Sequence, residues 1–134
     1  MKKLLLFIPF IIVIIVSCDK KKGKSDLELI TGQWSYDSMR VLNYKNNDVF
    51  YDNTLNQNHL LVEFLEDGTG SCNGINGNWK LNGDTLTTDI LTGMKTPSFF
   101  TVNDIKLVLY YTTPDEYISG NVYKNKVWHY LSRL

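Results

Sequence analysis

The feature that most constrains this fold is how closely turn-forming residues are spaced. Asn76-Gly77 and Asn82-Gly83, both strong hairpin signals, leave only residues 78–81 between them. Four residues cannot make a useful helix, but they can make a strand. The same rhythm runs through the rest of the chain. Residues 59–65 alternate Leu60, Val62 and Phe64 against Leu61, Glu63 and Leu65, and Glu66-Asp67-Gly68 turns them into 69–72. Further short runs rich in Thr, Tyr, Val, Ile, Phe and Trp fall at 33–42, 85–90, 99–102, 106–112, 116–123 and 126–133, with Asn125 expected to turn the last hairpin. The Asn-rich stretch 43–58 reads mostly as a long solvated loop around a short strand at 49–51. The reading is all-β: an antiparallel meander of about eight to ten strands. Its edges are best hidden by closing into a small barrel.

The N-terminus carries a different signal. Lys2 and Lys3 precede an unbroken apolar run from Leu4 to Val16. At ~1.5 Å per residue that run covers ~20 Å, too short for a hydrocarbon core about 30 Å thick. It has the layout of a secretory signal, and no polar face interrupts it as a buried amphipathic helix would require. The run ends in Ile15-Val16-Ser17-Cys18, which resembles the lipobox of bacterial lipoproteins. The resemblance implies cleavage between Ser17 and Cys18, so that residues 1–17 are removed. It also implies acylation of the Cys18 thiol and a membrane as partner through that lipid. Two or three acyl chains hold stably where one does not.

Loss of Lys2 and Lys3 tips a balanced chain, with 14 basic and 14 acidic side chains, slightly acidic. That argues against a nucleic-acid partner, which needs a clustered basic face. Residues 18–26 read as the lipidated cysteine and a flexible tether. Lys20, Lys21, Lys22 and Lys24 within it suit either solvent or anionic headgroups. Cys72 is then the single remaining cysteine, so no intrachain disulfide is expected in the mature protein. Ser25 and Glu28 have capping-box spacing and predict a short helical turn before Gly32. One domain, 27–134, follows.

Three segments of that domain resemble the lipocalin-like domains of bacterial lipoproteins. Gly32-Gln33-Trp34 matches the Gly-x-Trp that opens the first lipocalin strand. Phe64-Leu65-Glu66-Asp67-Gly68-Thr69-Gly70 is similar to a hairpin common in the bacterial group, and residues 79–87 are similar to the hairpin that usually follows. Arg133 stands where lipocalins often stack an Arg on the first-strand Trp. The resemblance implies a lipocalin-like barrel with Trp34 closing one end. It also implies a place on the outer membrane facing the periplasm, although Asp19 after the acylated cysteine retains some lipoproteins at the inner membrane. The chain lacks the Thr-Asp-Tyr turn of true lipocalins. A thinner resemblance, to the META-type lipoprotein domain, rests on Cys72-Asn73 and Gly77.

No catalytic constellation emerges. His59 and His129 are the only histidines, without metal-ligand spacing, and both read as partly exposed strand residues. Glu63 fits an outward-facing strand position, and no nucleophile elbow or phosphate loop is present. No catalytic residue, metal ligand or cofactor is expected. Trp34, Phe64, Trp79, Tyr110 and Trp128 read first as core. Fold analogy makes the same five the candidate lining of a cavity for a small apolar ligand. Two functions therefore stand: a non-enzymatic, membrane-anchored binding module for such a ligand, or a filled barrel acting through its surface in envelope assembly or protein interaction. A barrel of about eight strands permits both interiors.

Overall fold

The computed structural model describes residues 23–134. The expected leader, Ser17–Cys18 cleavage site and Cys18 lipidation site lie outside them. At the start of the described chain the capping box forms as predicted. The Ser25 backbone N–H donates to the Glu28 carboxylate at 2.7 Å, and the Glu28 N–H donates back to Ser25 Oγ at 3.3 Å. The helix it opens, α1 (Asp26–Ile30), is a turn and a half that ends by placing Ile30 in the core.

Nine strands follow: β1 (Gly32–Lys45), β2 (Asp48–Phe64), β3 (Thr69–Cys72), β4 (Ile75–Asn82), β5 (Thr85–Thr88), β6 (Thr96–Val102), β7 (Lys106–Thr112), β8 (Glu116–Ile118) and β9 (Asn121–Arg133). Neighbours pair antiparallel in the order β1-β2-β3-β4-β5-β6-β7-β9, and β1 pairs with β9 to close an eight-stranded barrel. β8 adds to the free edge of β9 beyond β7. This closed meander is compatible with a lipocalin-like barrel. Because the strands alternate in direction, α1 and the β2–β3, β4–β5 and β6–β7 turns share one end. The β1–β2, β3–β4 and β5–β6 connections share the other, the mouth.

Tight two-residue turns set the registers, and two are not where the dipeptides pointed. Cys72 pairs with Ile75, so Asn73-Gly74 makes the β3–β4 turn, with φ of 48° and 80°. Both residues are left-handed, as the favoured hairpin turn demands. Asn76-Gly77 lies inside β4, where Gly77 serves a different need. A Cβ there would come within 2.5 Å of Asp89 Oδ1 and 2.9 Å of Ile90 Cγ1. Likewise Asn125 runs straight through β9, and the last hairpin turns at Ser119-Gly120, with φ of 49° and 78°.

The Asn-rich stretch is also not a loop. Asn46 and Asn47, with φ of 50° and 70°, make a tight turn, and β1 and β2 pair along their full lengths from Lys45↔Asp48 to Gly32↔Phe64. Asn accepts the left-handed conformation more readily than other side chains, so asparagines here begin and end strands as well as solvate them. The result is an arm. Residues 48–56 of β2, the second half of β1, β9 and β8 form a four-stranded ribbon reaching past the mouth. Where arm meets barrel, Asp37 is an extra residue in β1 and residues 57–59 are extra in β2. Such bulges bend a strand and redirect its side chains.

Candidate functional site

The barrel interior decides what the fold can hold. Ile30, Trp34, Phe64, Val62, Leu86, Leu107, Leu109 and Leu131 are fully buried and meet along the axis, with Trp79 against Phe64 in an edge-to-face pair at 5.4 Å. Above them lies a polar layer. The Tyr36 hydroxyl and His129 Nδ1 share a hydrogen bond of 2.5 Å, Tyr111 stacks on the imidazole at 5.9 Å, and Thr88 and Ser98 are buried nearby. Burial pushes His129 down to about 4 and raises the Tyr36 hydroxyl, so both are neutral at physiological pH. That bond gives the Tyr36 hydroxyl and His129 Nδ1 a partner in each other. The void that His129, Tyr111, Thr88 and Ser98 line measures ≈ 10 Å³, room for about one water. His129, read from sequence as partly exposed, is thus 2% exposed.

At the mouth the surface opens again. Leu60, Cys72, Ile75, Ile90 and Leu91 line a cleft of ≈ 600 Å³ between Leu60 of β2, the β3–β4 hairpin and the β5–β6 connection. Burial raises the Cys72 thiol above its ordinary range. A thiol so placed is a poor nucleophile at neutral pH.

The five candidate aromatics do not share one surface. Trp34, Phe64 and Trp79 are packed together in the core, and the indole N–H groups donate to the Ile30 carbonyl (2.8 Å) and to the Leu65 and Thr69 carbonyls (2.9 and 3.0 Å). Tyr110 and Trp128 pair across β7 and β9 on the outer wall. There Tyr110 stacks on Phe99 and the Arg40 guanidinium lies 5.9 Å from the Trp128 ring.

A second cluster sits on the outer wall at the bulge: Ser35, Asp37, His59 and Ser132. The residue types are those of a hydrolase triad, but the geometry is not. His59 Nδ1 is 3.0 Å from both Asp37 Oδ1 and Ser35 Oγ. A triad needs the hydroxyl at the opposite nitrogen, and Ser35 is itself buried. Instead Ser35 and Ser132 both donate to the Asp37 carboxylate. Burial acts to raise that carboxyl, and the bonds from Ser132, Ser35 and His59 outweigh it and hold it below its ordinary value. The cluster thus fixes the extra residue of the bulge. Sequence reasoning missed it because the four residues come from three strands.

Among the described residues no three His, Cys, Asp or Glu side chains are grouped to hold a metal ion. No family model, curated protein or solved structure gives a significant match to this chain.

Proposed function

We propose that this chain is a lipid-anchored envelope protein that acts as a non-enzymatic binding module through its surface, not through an enclosed pocket. One observation carries the reading: buried side chains fill the barrel axis from Ile30 to His129, and the void beside His129 is ≈ 10 Å³. Small-molecule sites run to about 300–1,000 Å³. Anchorage through Cys18, facing the periplasm from the outer membrane, completes the proposal. The described chain enters at the α1 end, the side on which such an anchor would attach.

A second reading is supported by the ≈ 600 Å³ cleft, whose apolar wall could seat part of a small hydrophobic ligand at the mouth. Titration with a fluorescent fatty acid separates the two. The surface reading expects no saturable binding. Saturable binding that is lost in Leu60→Lys would favour the ligand reading instead. For the anchor, Cys18→Ala should release the protein from membranes with loss of the lipid mass. If it still fractionates with membrane at unchanged mass, lipidation is wrong.

A further inference from the structure

The barrel closes, but the arm does not. β3 pairs with β2 only from Val62 to Phe64, so residues 48–59 of β2 meet β1 on one side and no strand on the other among the described residues. Alternate residues there direct N–H and C=O groups outward as an unpaired row. Natural edges are guarded by Lys or other charges, by Pro, by bulges or by being short, and here bulges guard only the two ends of the stretch 51–56. Residues 48–59 contain neither Lys nor Pro. Their charges are Asp48 and Asp52, and Asp52 is already neutralised by a two-pronged bond to Arg40 at 2.8 and 3.0 Å.

We propose that this edge pairs with the same edge of a second copy, β2 against β2 antiparallel about a two-fold axis at Asn53. The regular stretch, Tyr51 to Asn56, lies between the bulge at Phe50 and the one at 57–59, which limits the ladder to about five residues. Centred on Asn53, Tyr51 of one copy faces Leu55 of the other, Asp52 faces Thr54, and Asn53 faces itself. Tyr51 and Leu55 are 45% and 42% exposed, large for residues of this kind, and each gains an apolar cross-strand partner. Centring on Asp52 instead would oppose two carboxylates, and centring on Thr54 would set Asn53 against Leu55. The other free edge of the arm, β8, is three residues long and carries Glu116. A β2–β8 contact would be head-to-tail and open-ended, whereas β2–β2 closes. Two arms so joined make one continuous eight-stranded sheet, with the barrels at its ends.

The test uses the full-length chain in membranes, with Cys72→Ser as background. Cα atoms of directly opposed residues lie about 4.5–5.5 Å apart, within disulfide reach. Mild oxidation should therefore convert Asn53→Cys to a covalent dimer on a non-reducing gel. Asp48→Cys, whose two copies would be ~33 Å apart, should stay at background. In detergent the parent should show twice the protein mass of a Tyr51→Lys/Leu55→Lys variant whose melting is unchanged. A parent of monomer mass overturns the proposal, as does a dimer that survives the double substitution or gives no Asn53→Cys cross-link. A monomer whose mass rises only with an extended peptide would assign the edge to a different protein and overturn the second copy.

Discussion

The Arg133 guanidinium lies over the Trp34 ring, 4.0 Å from its centroid, and donates to the carbonyls of Leu29 and Thr31 at the end of α1. The last strand thus holds the first strand and the helix with one side chain. It satisfies carbonyls that a five-residue helix leaves bare. Gly32 makes room: at φ 123°, a Cβ there would sit 2.8 Å from Arg133 Nη1.

Trp34→Ala should therefore cost ~3–5 kcal/mol, the cost of emptying a packed aromatic site. Arg133→Ala removes a cation–π contact of about 0.5–2 kcal/mol and also strands two carbonyls. It should fall between the tryptophan variant and wild type in urea titration. A neutral Trp34→Ala would mean that α1 and Arg133 do not close the barrel.

The Asn73-Gly74 turn and the Asn76-Gly77 dipeptide inside β4 give a sharper comparison. Asn73 holds φ 48° in the turn, whereas Asn76 is an exposed strand residue. Asn73→Ala should cost ~1–2 kcal/mol, the usual penalty for a left-handed alanine. Asn76→Ala should stay within ~0.5 kcal/mol. Gly77→Ala should cost ~1–3 kcal/mol by forcing Asp89 and Ile90 aside. Reversal of the two asparagine values would return the turn to Asn76-Gly77.

Those residues also mark where the sequence was legible. Period-two alternation and turn residues pointed to the all-β meander, and the lipocalin resemblance at Gly32, Trp34 and Arg133 implied its closed end. The arm was hidden because 48–58 is exposed on both faces over most of its length, so no alternation survives to announce a strand. His129 could have been placed: Val127, His129 and Leu131 share one face of β9, and all three are buried. Histidine as a residue type favours exposure, but its place two residues from Val127 and from Leu131 sets it on the inward face. The bulge cluster had no local signal at all, since Ser35 and Ser132 meet only through barrel closure.

At that bulge, Asp37→Ala should leave the Ser35 and Ser132 hydroxyls without their acceptor, at ~1–3 kcal/mol for buried groups. The effect should be uneven. Backbone amides of residues 38–45 and 48–56 should exchange hydrogen faster than those of the barrel strands, because the arm is held at its root by this carboxylate. Uniform acceleration across the chain would show that Asp37 serves global stability alone.

His129 makes stability depend on pH in a predictable direction. Its folded value of about 4 lies below the ordinary value of 6.5 because burial disfavours the charged ring. Above pH 6.5 neither the folded nor the unfolded chain is protonated there, so the residue adds no pH dependence. Between pH 6.5 and about 4 the unfolded chain takes up a proton that the folded one refuses, so stability falls as pH falls. At ~1.4 kcal/mol per pH unit, about 2–3 kcal/mol should be lost between neutrality and pH 4.5. Asp37 acts in a different window: its carboxyl is held below the ordinary range, so its contribution persists to lower pH and disappears only on further acidification. His129→Gln keeps a partner for the Tyr36 hydroxyl but cannot titrate. Urea midpoints across this range should therefore slope for the wild type and run much flatter for His129→Gln. Parallel slopes would mean that His129 is protonated inside the barrel, with the Tyr36 bond rearranged to hold it.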